Sequence, residues 1–138
     1  MLRFGIIGTS WITDSYIEGA LDSGLWQLTA IYSRTEERGL DFGRKYGVTN
    51  IYTDITAMAE CDDIDAVCIC TPDHWHVAIA MKAIEMGKAV YVEKPMSLTV
   101  EEGRLLSDLV KAKGGILQVG TQQRSEWAFR RAAELVLN

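Results

Sequence analysis

The run Leu2-Arg3-Phe4-Gly5-Ile6-Ile7-Gly8-Thr9-Ser10-Trp11-Ile12-Thr13 decides how the rest of the chain is read. An apolar stretch halts at a glycine, and an amphipathic segment begins within a few residues. That is the sequence form of a strand, a tight turn and a helix N-terminus. Free backbone N–H groups and the positive end of a helix dipole then point at one place, which suits a dinucleotide pyrophosphate. The fingerprint of such a turn is G-x-G-x-x-G or G-x-G-x-x-A. Only its first glycine, Gly8, is kept. Ser10 stands where the backbone should approach phosphate most closely. Its side chain either crowds the pyrophosphate or donates a hydrogen bond to it. Thr13 stands where a small residue lets the helix pack on the strand. The competing reading is a strand and a helix that bind nothing.

Outward from this turn, strands and helices alternate to the end. The first helix is expected from about Trp11 to Ser23, with Tyr16, Ile17, Ala20 and Leu21 on one face and Gly24 closing it. Gln27 to Tyr32 reads as a second strand. A helix from Thr35 to Tyr46 follows, its regularity weakened by Gly39 and Gly43. A short strand at Ile51-Tyr52 and a short helix from Asp54 come next. Ile64 to Cys70 is nearly all apolar, which suits a central parallel strand covered on both faces. A helix from about Trp75 buries Val77, Ala80, Met81 and Ile84 and ends at Gly87. Ala89 to Val92 is a fifth strand. Thr99 and Glu102 form a capping box for a helix whose apolar side is Leu105, Leu106, Leu109 and Val110. Gly114-Gly115 stops it. A sixth strand, Ile116 to Val119, leads to a last helix near Ser125. This alternation predicts an α/β fold: a doubly wound parallel six-stranded sheet, order 3-2-1-4-5-6, with helices on both faces.

Composition narrows the function. The 138 residues are 48% hydrophobic, enough for the core of one ordinary domain, and carry a net charge of −5. Acids and bases are mixed and no basic stripe appears, so a nucleic-acid partner is not expected. No apolar run reaches membrane-spanning length, and the start lacks the form of a signal peptide. Three cysteines, Cys61, Cys68 and Cys70, are an odd count without regular spacing. They fit a reducing cytoplasm, with Cys68 and Cys70 as core residues facing one side of a strand.

Ligands of such sheets bind beyond the carboxyl ends of the strands, where the strand order reverses. The loop after the second strand is Ser33-Arg34-Thr35-Glu36-Glu37-Arg38. A carboxylate about 20 residues past the glycine turn would take the ribose diol of NAD. Ser33 and Arg34 stand there instead, with Arg38 one helical turn on, and guanidinium and hydroxyl groups suit a 2′-phosphate. NADP is therefore favoured over NAD; the alternative is a capping serine and two solvated arginines. After the fourth strand comes Thr71-Pro72-Asp73-His74-Trp75-His76. The two histidines are two residues apart at a helix start, do not share a face and lack further ligands, so no metal is expected. Asp73 either caps the helix or belongs to the site. Trp75 either packs or lays its ring against a nicotinamide. The fifth strand runs into Glu93-Lys94-Pro95. Pro95 fixes the turn, in either isomer. Lys94 would then orient the cofactor ribose or donate a proton to a carbonyl substrate. A surface ion pair with Glu93 is the plainer alternative.

Taken together, these loops resemble the Gfo/Idh/MocA oxidoreductases, which include glucose–fructose oxidoreductase and inositol dehydrogenase. Gly5-Ile6-Ile7-Gly8-Thr9 looks like that family's opening strand and turn. Tyr52-Thr53-Asp54 and Asp63 to Val67 resemble the approach to its fourth strand. Thr71 to His76 is similar to its T-P-N-x-x-H, with Asp73 in place of Asn, and Glu93-Lys94-Pro95 matches its E-K-P. The resemblance covers the whole chain. It implies a Rossmann domain that binds NAD or NADP. In that domain the Lys94 position lies near the reacting carbon, and Thr71, Pro72, Asp73, His76 and Glu93 line the cofactor site. Gly8, Thr9, Ser10, Trp11 and Ile12 would form the phosphate turn. Family enzymes act on hydroxyl and carbonyl groups of sugars, cyclitols and related diols. A C-terminal substrate domain follows in that family, and the chain stops at Asn138. Residues 1–138 are thus expected to be the cofactor domain alone, binding dinucleotide without competent turnover. The parts before and after Cys70-Thr71 resemble different subgroups, which predicts a fragment or a composite of family sequences. A stand-alone module with vestigial cofactor affinity is the alternative, as is a homodimer formed through surface that the further domain would cover, near Trp127 and Phe129.

Overall fold

Each apolar run becomes a strand, and all of them join one sheet. The computed structural model describes residues 1–137. In chain order the elements are β1 (Leu2–Ile7), α1 (Trp11–Asp22), β2 (Trp26–Tyr32), α2 (Glu36–Arg44), β3 (Ile51–Tyr52), α3 (Ile55–Glu60), β4 (Ala66–Ile69), α4 (His76–Glu85), β5 (Ala89–Val92), α5 (Val100–Lys113), β6 (Leu117–Val119) and α6 (Trp127–Leu137). The strand order is β3-β2-β1-β4-β5-β6, every pair parallel. The doubly wound order expected from the alternation is the order found.

Successive strand residues point to opposite faces, so the core has two layers. Ile7, Val67, Ile69, Val90 and Val92 pack with Met58 of α3, Ile84 of α4 and Leu106 of α5. Phe4, Ile6, Leu28, Ile31, Cys68 and Cys70 form the other layer, with Ile17 of α1. At the amino ends of the two central strands, Arg3 and Asp65 clamp the starts of β1 and β4. The Asp65 carboxylate accepts from the Arg3 backbone amide at 2.8 Å and from its guanidinium at 2.7 and 3.2 Å. That guanidinium holds the Asp65 carboxyl at about 2, below the usual carboxylate range.

Two apolar faces are narrower than their sequence pattern. Leu21 and Leu105, both expected to be buried, are exposed. Thr13 and Ile17 centre the buried stripe of α1, and Gly103 and Leu106 that of α5. Leu21 and Leu105 lie on the flanks. Conversely, Gly39 and Gly43 do not break α2. They are buried four residues apart on one face. A Cβ on Gly39 would overlap the Ile51 side chain, and one on Gly43 would overlap the Val48 carbonyl oxygen. The helix therefore rests on the sheet edge through bare backbone. The capping box at Thr99 and Glu102 forms as read, through bonds of 3.1 and 3.2 Å. Helix α6 leaves β6 with every described residue exposed. No helix among the described residues is long and apolar enough to cross a membrane.

Candidate functional site

The carboxyl ends of β1, β2, β4 and β5 form a rim, and the singled-out loops meet along it. Gly8 follows β1 at φ +117°, a conformation that strains any residue with a Cβ. A Cβ there would stand 2.6 Å from the Cys70 carbonyl oxygen. This glycine lets the turn after β1 lie directly against the turn after β4. Ser10 caps α1 in extended conformation. Its amide donates to Thr13 Oγ1 at 3.3 Å. Thr13, fully buried, thus uses its hydroxyl to close the helix's first turn. Ser10 and Trp11 are exposed, and Ile12 is half-buried against the α1 layer of the core.

Past β2, Ser33 is buried with its amide tied to the Tyr52 carbonyl at 2.9 Å. Its hydroxyl has no hydrogen-bond partner among the described residues. Thr35 caps α2 without a side-chain bond, so the helix opens with its first amides free of a side-chain acceptor. Arg34 is exposed. Arg38 reaches from α2 to the glycine turn: Nε donates to Thr9 Oγ1 at 2.9 Å and Nη2 to the Thr9 carbonyl at 3.4 Å. This cross-rim pairing joins two motifs that sequence spacing treats separately. An arginine one turn into α2 was the only signal for it.

Past β4, the Thr71 hydroxyl is a second buried group without a partner among the described residues. Pro72 is exposed, and Asp73 accepts from the His74 amide at 2.9 Å, so it braces its own turn rather than capping α4. Trp75 is about half-exposed on the rim. His76 is 1% exposed, with Nδ1 2.7 Å from the Pro95 carbonyl oxygen and Nε2 2.9 Å from that of Thr71. Each ring nitrogen lies against a backbone carbonyl oxygen, and the one that carries the proton in the neutral ring donates, so the ring links the loop after β4 to the loop after β5. It offers no nitrogen to a ligand. Among the described residues no group of three metal-ligating side chains occurs.

Past β5, Glu93 and Lys94 diverge. Glu93 is buried and turns toward α1, where its Oε1 accepts from Tyr91 at 3.1 Å. Lys94 is exposed and lines a cavity of about 250 Å³ with Gly120, Thr121, Gln122, Gln123 and Arg124. The plainer alternative, an ion pair between these neighbours, does not form among the described residues. Lys94–Pro95 is a cis peptide. Gly120 makes room for the Tyr91–Glu93 pair, since a Cβ there would overlap the Tyr91 hydroxyl. Beneath this pair lie Cys68 and Cys70, Sγ to Sγ 3.7 Å. Burial pushes the Tyr16 and Tyr91 phenols and the Cys68 thiol upward. Cys68 therefore stays a thiol and packs as an apolar group.

The rim is fitted to a dinucleotide by features that nothing else in the fold explains. Two buried hydroxyls await partners, at Ser33 and Thr71. Buried polar groups are almost always hydrogen-bonded, and the exceptions call for a reason. A glycine at positive φ clears the approach to the turn.

Comparison with known proteins gives the family of the chain. The model of the Gfo/Idh/MocA oxidoreductase family, NAD-binding Rossmann fold, matches residues 2–121. The chain belongs to this family. Scyllo-inositol 2-dehydrogenase (NADP(+)) of Bacillus subtilis is 40% identical over 117 residues, 85% of the chain and 36% of that enzyme. The NAD(+) scyllo-inositol 2-dehydrogenase of the same organism is 35% identical over 106 residues, 77% of the chain and 31% of that enzyme. Among solved structures, biliverdin reductase from Synechocystis sp. PCC 6803, in complex with biliverdin and NADP+, superposes with a TM-score of 0.88 at 29% identity. That match covers 99% of the chain and 42% of the reductase. The chain thus spans about a third of the length of these curated dehydrogenases. An alignment over 85% of the chain necessarily crosses the Cys70–Thr71 junction. The two-source expectation therefore gains nothing from these family members.

Proposed function

We propose that residues 1–138 are the cofactor-holding domain of an oxidoreductase and bind NADP in preference to NAD. The observation that carries the reading is the pair of buried, unpartnered hydroxyls, Ser33 at the end of β2 and Thr71 at the end of β4. They flank the Gly8 turn, where the adenosine and pyrophosphate parts of a dinucleotide would lie. Gly8, Thr9, Ser10, Trp11 and Ile12 would border the pyrophosphate; Ser33, Arg34 and Arg38 would face the adenosine ribose. Thr71, Pro72, Asp73, Trp75, Lys94 and Pro95 would border the nicotinamide half, with His76 and Glu93 supporting them from below. No carboxylate stands at the ribose position, and a guanidinium recognises phosphate through paired N–H groups. When bound, the nicotinamide group gives or takes a hydride.

Lys94 would hold the nicotinamide ribose and present an ammonium to a substrate oxygen. The substrate class is the hydroxyl or carbonyl of a sugar, cyclitol or diol, as the names of family members suggest. A cavity of about 250 Å³ beside Lys94 is one wall of a substrate site. Alone it would orient substrate poorly, and orientation supplies much of an enzyme's rate. A cytoplasmic setting suits the unpaired cysteines. Calorimetric titration with NADP and NAD tests the cofactor reading: absence of heat with either at millimolar cofactor overturns it. Arg34→Asp should move the preference toward NAD, and an unchanged ratio counts against the ribose assignment.

One observation favours a second reading, self-association. Helix α6 leaves Trp127, Phe129, Leu135, Val136 and Leu137 exposed around its circumference. Large exposed apolar surface marks interfaces. Sedimentation at two concentrations reads it out, and a monomer at both removes it.

A further inference from the structure

We infer that Thr9 selects the cofactor by positioning Arg38: its hydroxyl holds the guanidinium at the rim, ready for a 2′-phosphate. The inference rests on the dinucleotide reading above and adds a residue on the opposite side of the rim. Thr9 lies in the turn after β1, whereas Arg38 lies in α2, 29 residues away. Nε is fixed at 2.9 Å on the Thr9 hydroxyl and Nη2 at 3.4 Å on its carbonyl. Both acceptors are neutral oxygens. Arg3, Arg44 and Arg131 each pair with a carboxylate, but Arg38 makes no ion pair among the described residues. Its charge is therefore held in place without being neutralised.

The donor count makes this useful. A guanidinium has five N–H donors, and the Thr9 contacts use two, one on Nε and one on Nη2. Both Nη1 donors and the second Nη2 donor remain, enough for a two-pronged grip on a phosphate. The acids of the neighbourhood, Glu36 and Glu37, lie in the first turn of α2 and are exposed. They form no bond to Arg38 in the structure, so the anchor on Thr9 keeps the guanidinium directed toward the turn. An arginine free in solvent would lose its side-chain entropy on meeting phosphate; one already held loses less. That saving applies only to a cofactor that has the phosphate. Thr9 acts through Arg38 and so is a positioning residue.

Thr9→Val keeps the shape and removes the hydroxyl. Calorimetry on the 138-residue chain should show NADP binding weakened about fivefold, in line with the freedom restored to one long side chain. NAD binding should weaken less than NADP binding, since NAD shares with NADP only the pyrophosphate that Thr9 borders and makes no use of the 2′ position. Adenosine 2′,5′-bisphosphate and 5′-AMP, used as probes, should divide the same way. Thr9→Ser should restore the wild-type ratio. Arg38→Lys keeps the charge and cannot span both Thr9 oxygens, so it should lose the preference too. Adding Thr9→Val to Arg38→Lys should then change nothing further. An unchanged NADP-to-NAD ratio in Thr9→Val, or equal weakening of both cofactors, overturns the inference while leaving dinucleotide binding intact. Wild-type chain that binds neither cofactor overturns the cofactor reading and this inference together. If Thr9→Val does not fold, Arg38→Lys decides: a retained NADP preference overturns the inference.

Discussion

His76→Phe separates a structural tether from a ligand-facing histidine. The substitution keeps a buried aromatic ring of similar volume, so no large cavity opens. It removes both nitrogens that stand 2.7 and 2.9 Å from the Pro95 and Thr71 carbonyl oxygens. Leaving a buried acceptor without its donor costs about 1–3 kcal/mol. Both contacts are only part-buried, so water partly replaces the lost partner. A total of about 2 kcal/mol is the reasonable expectation. For a chain of 138 residues the unfolding entropy near its midpoint is about 0.29 kcal/mol/K. The melting temperature should fall by about 7 °C, read by differential scanning calorimetry. Dinucleotide affinity should fall as well, because the tether sets the spacing between the Thr71 and Lys94 loops. A variant melting within about 2 °C of wild type would show that the ring nitrogens carry no structural load. If that variant also lost all cofactor binding, His76 would be a ligand-facing residue and the assignment here would be refuted.

Glycine substitutions should diverge according to what each Cβ would meet. Gly43→Ala drives a methyl into the Val48 carbonyl and should destabilise by about 1–3 kcal/mol, measured by urea denaturation. Gly19→Ala, in the middle of α1 with open space around it, should stabilise by about 0.5–1 kcal/mol in the same assay. Acid should expose the Arg3–Asp65 clamp. The Asp65 carboxyl titrates at about 2 in the folded chain against 3.8 as its ordinary value. Its stabilising contribution is whole above the ordinary value and is lost as pH falls from there through about 2. Wild type and Asp65→Asn should therefore differ in stability at neutral pH and converge near pH 2, read by thermal melts across that window.

Much of the fold was open to reading because its signals are local. Six apolar runs alternate with helices, several stopped by a glycine, and alternation of strand with helix leaves few topologies. Leu21 and Leu105 misled because helical periodicity shows which face is apolar but not how wide a strip the neighbours cover. Gly39 and Gly43 misled because helix propensity counts a glycine's entropy and cannot see the strand beneath it. At the rim, the motif loops were legible as a set, while the directions of their side chains were not. Adjacent Glu93 and Lys94 diverge just past the end of β5, one buried and one exposed, which the sequence pattern does not signal. The family motif singles out His76 over His74, but its burial and its two backbone partners were not readable from that motif. The Thr9–Arg38 contact spans 29 residues and has no periodic signature at all.

The bare backbone contact between α2 and the sheet edge has an evolutionary corollary. Because Gly39 and Gly43 set that helix's height without any side chain as a spacer, the ledge bearing the exposed Arg34 and Arg38 keeps its position whatever residues stand there. Exchanging those few outward groups can retune which coenzyme is accepted while the layer underneath needs no compensating change. Kin that share this geometry can thus drift between the two coenzymes by surface substitutions alone.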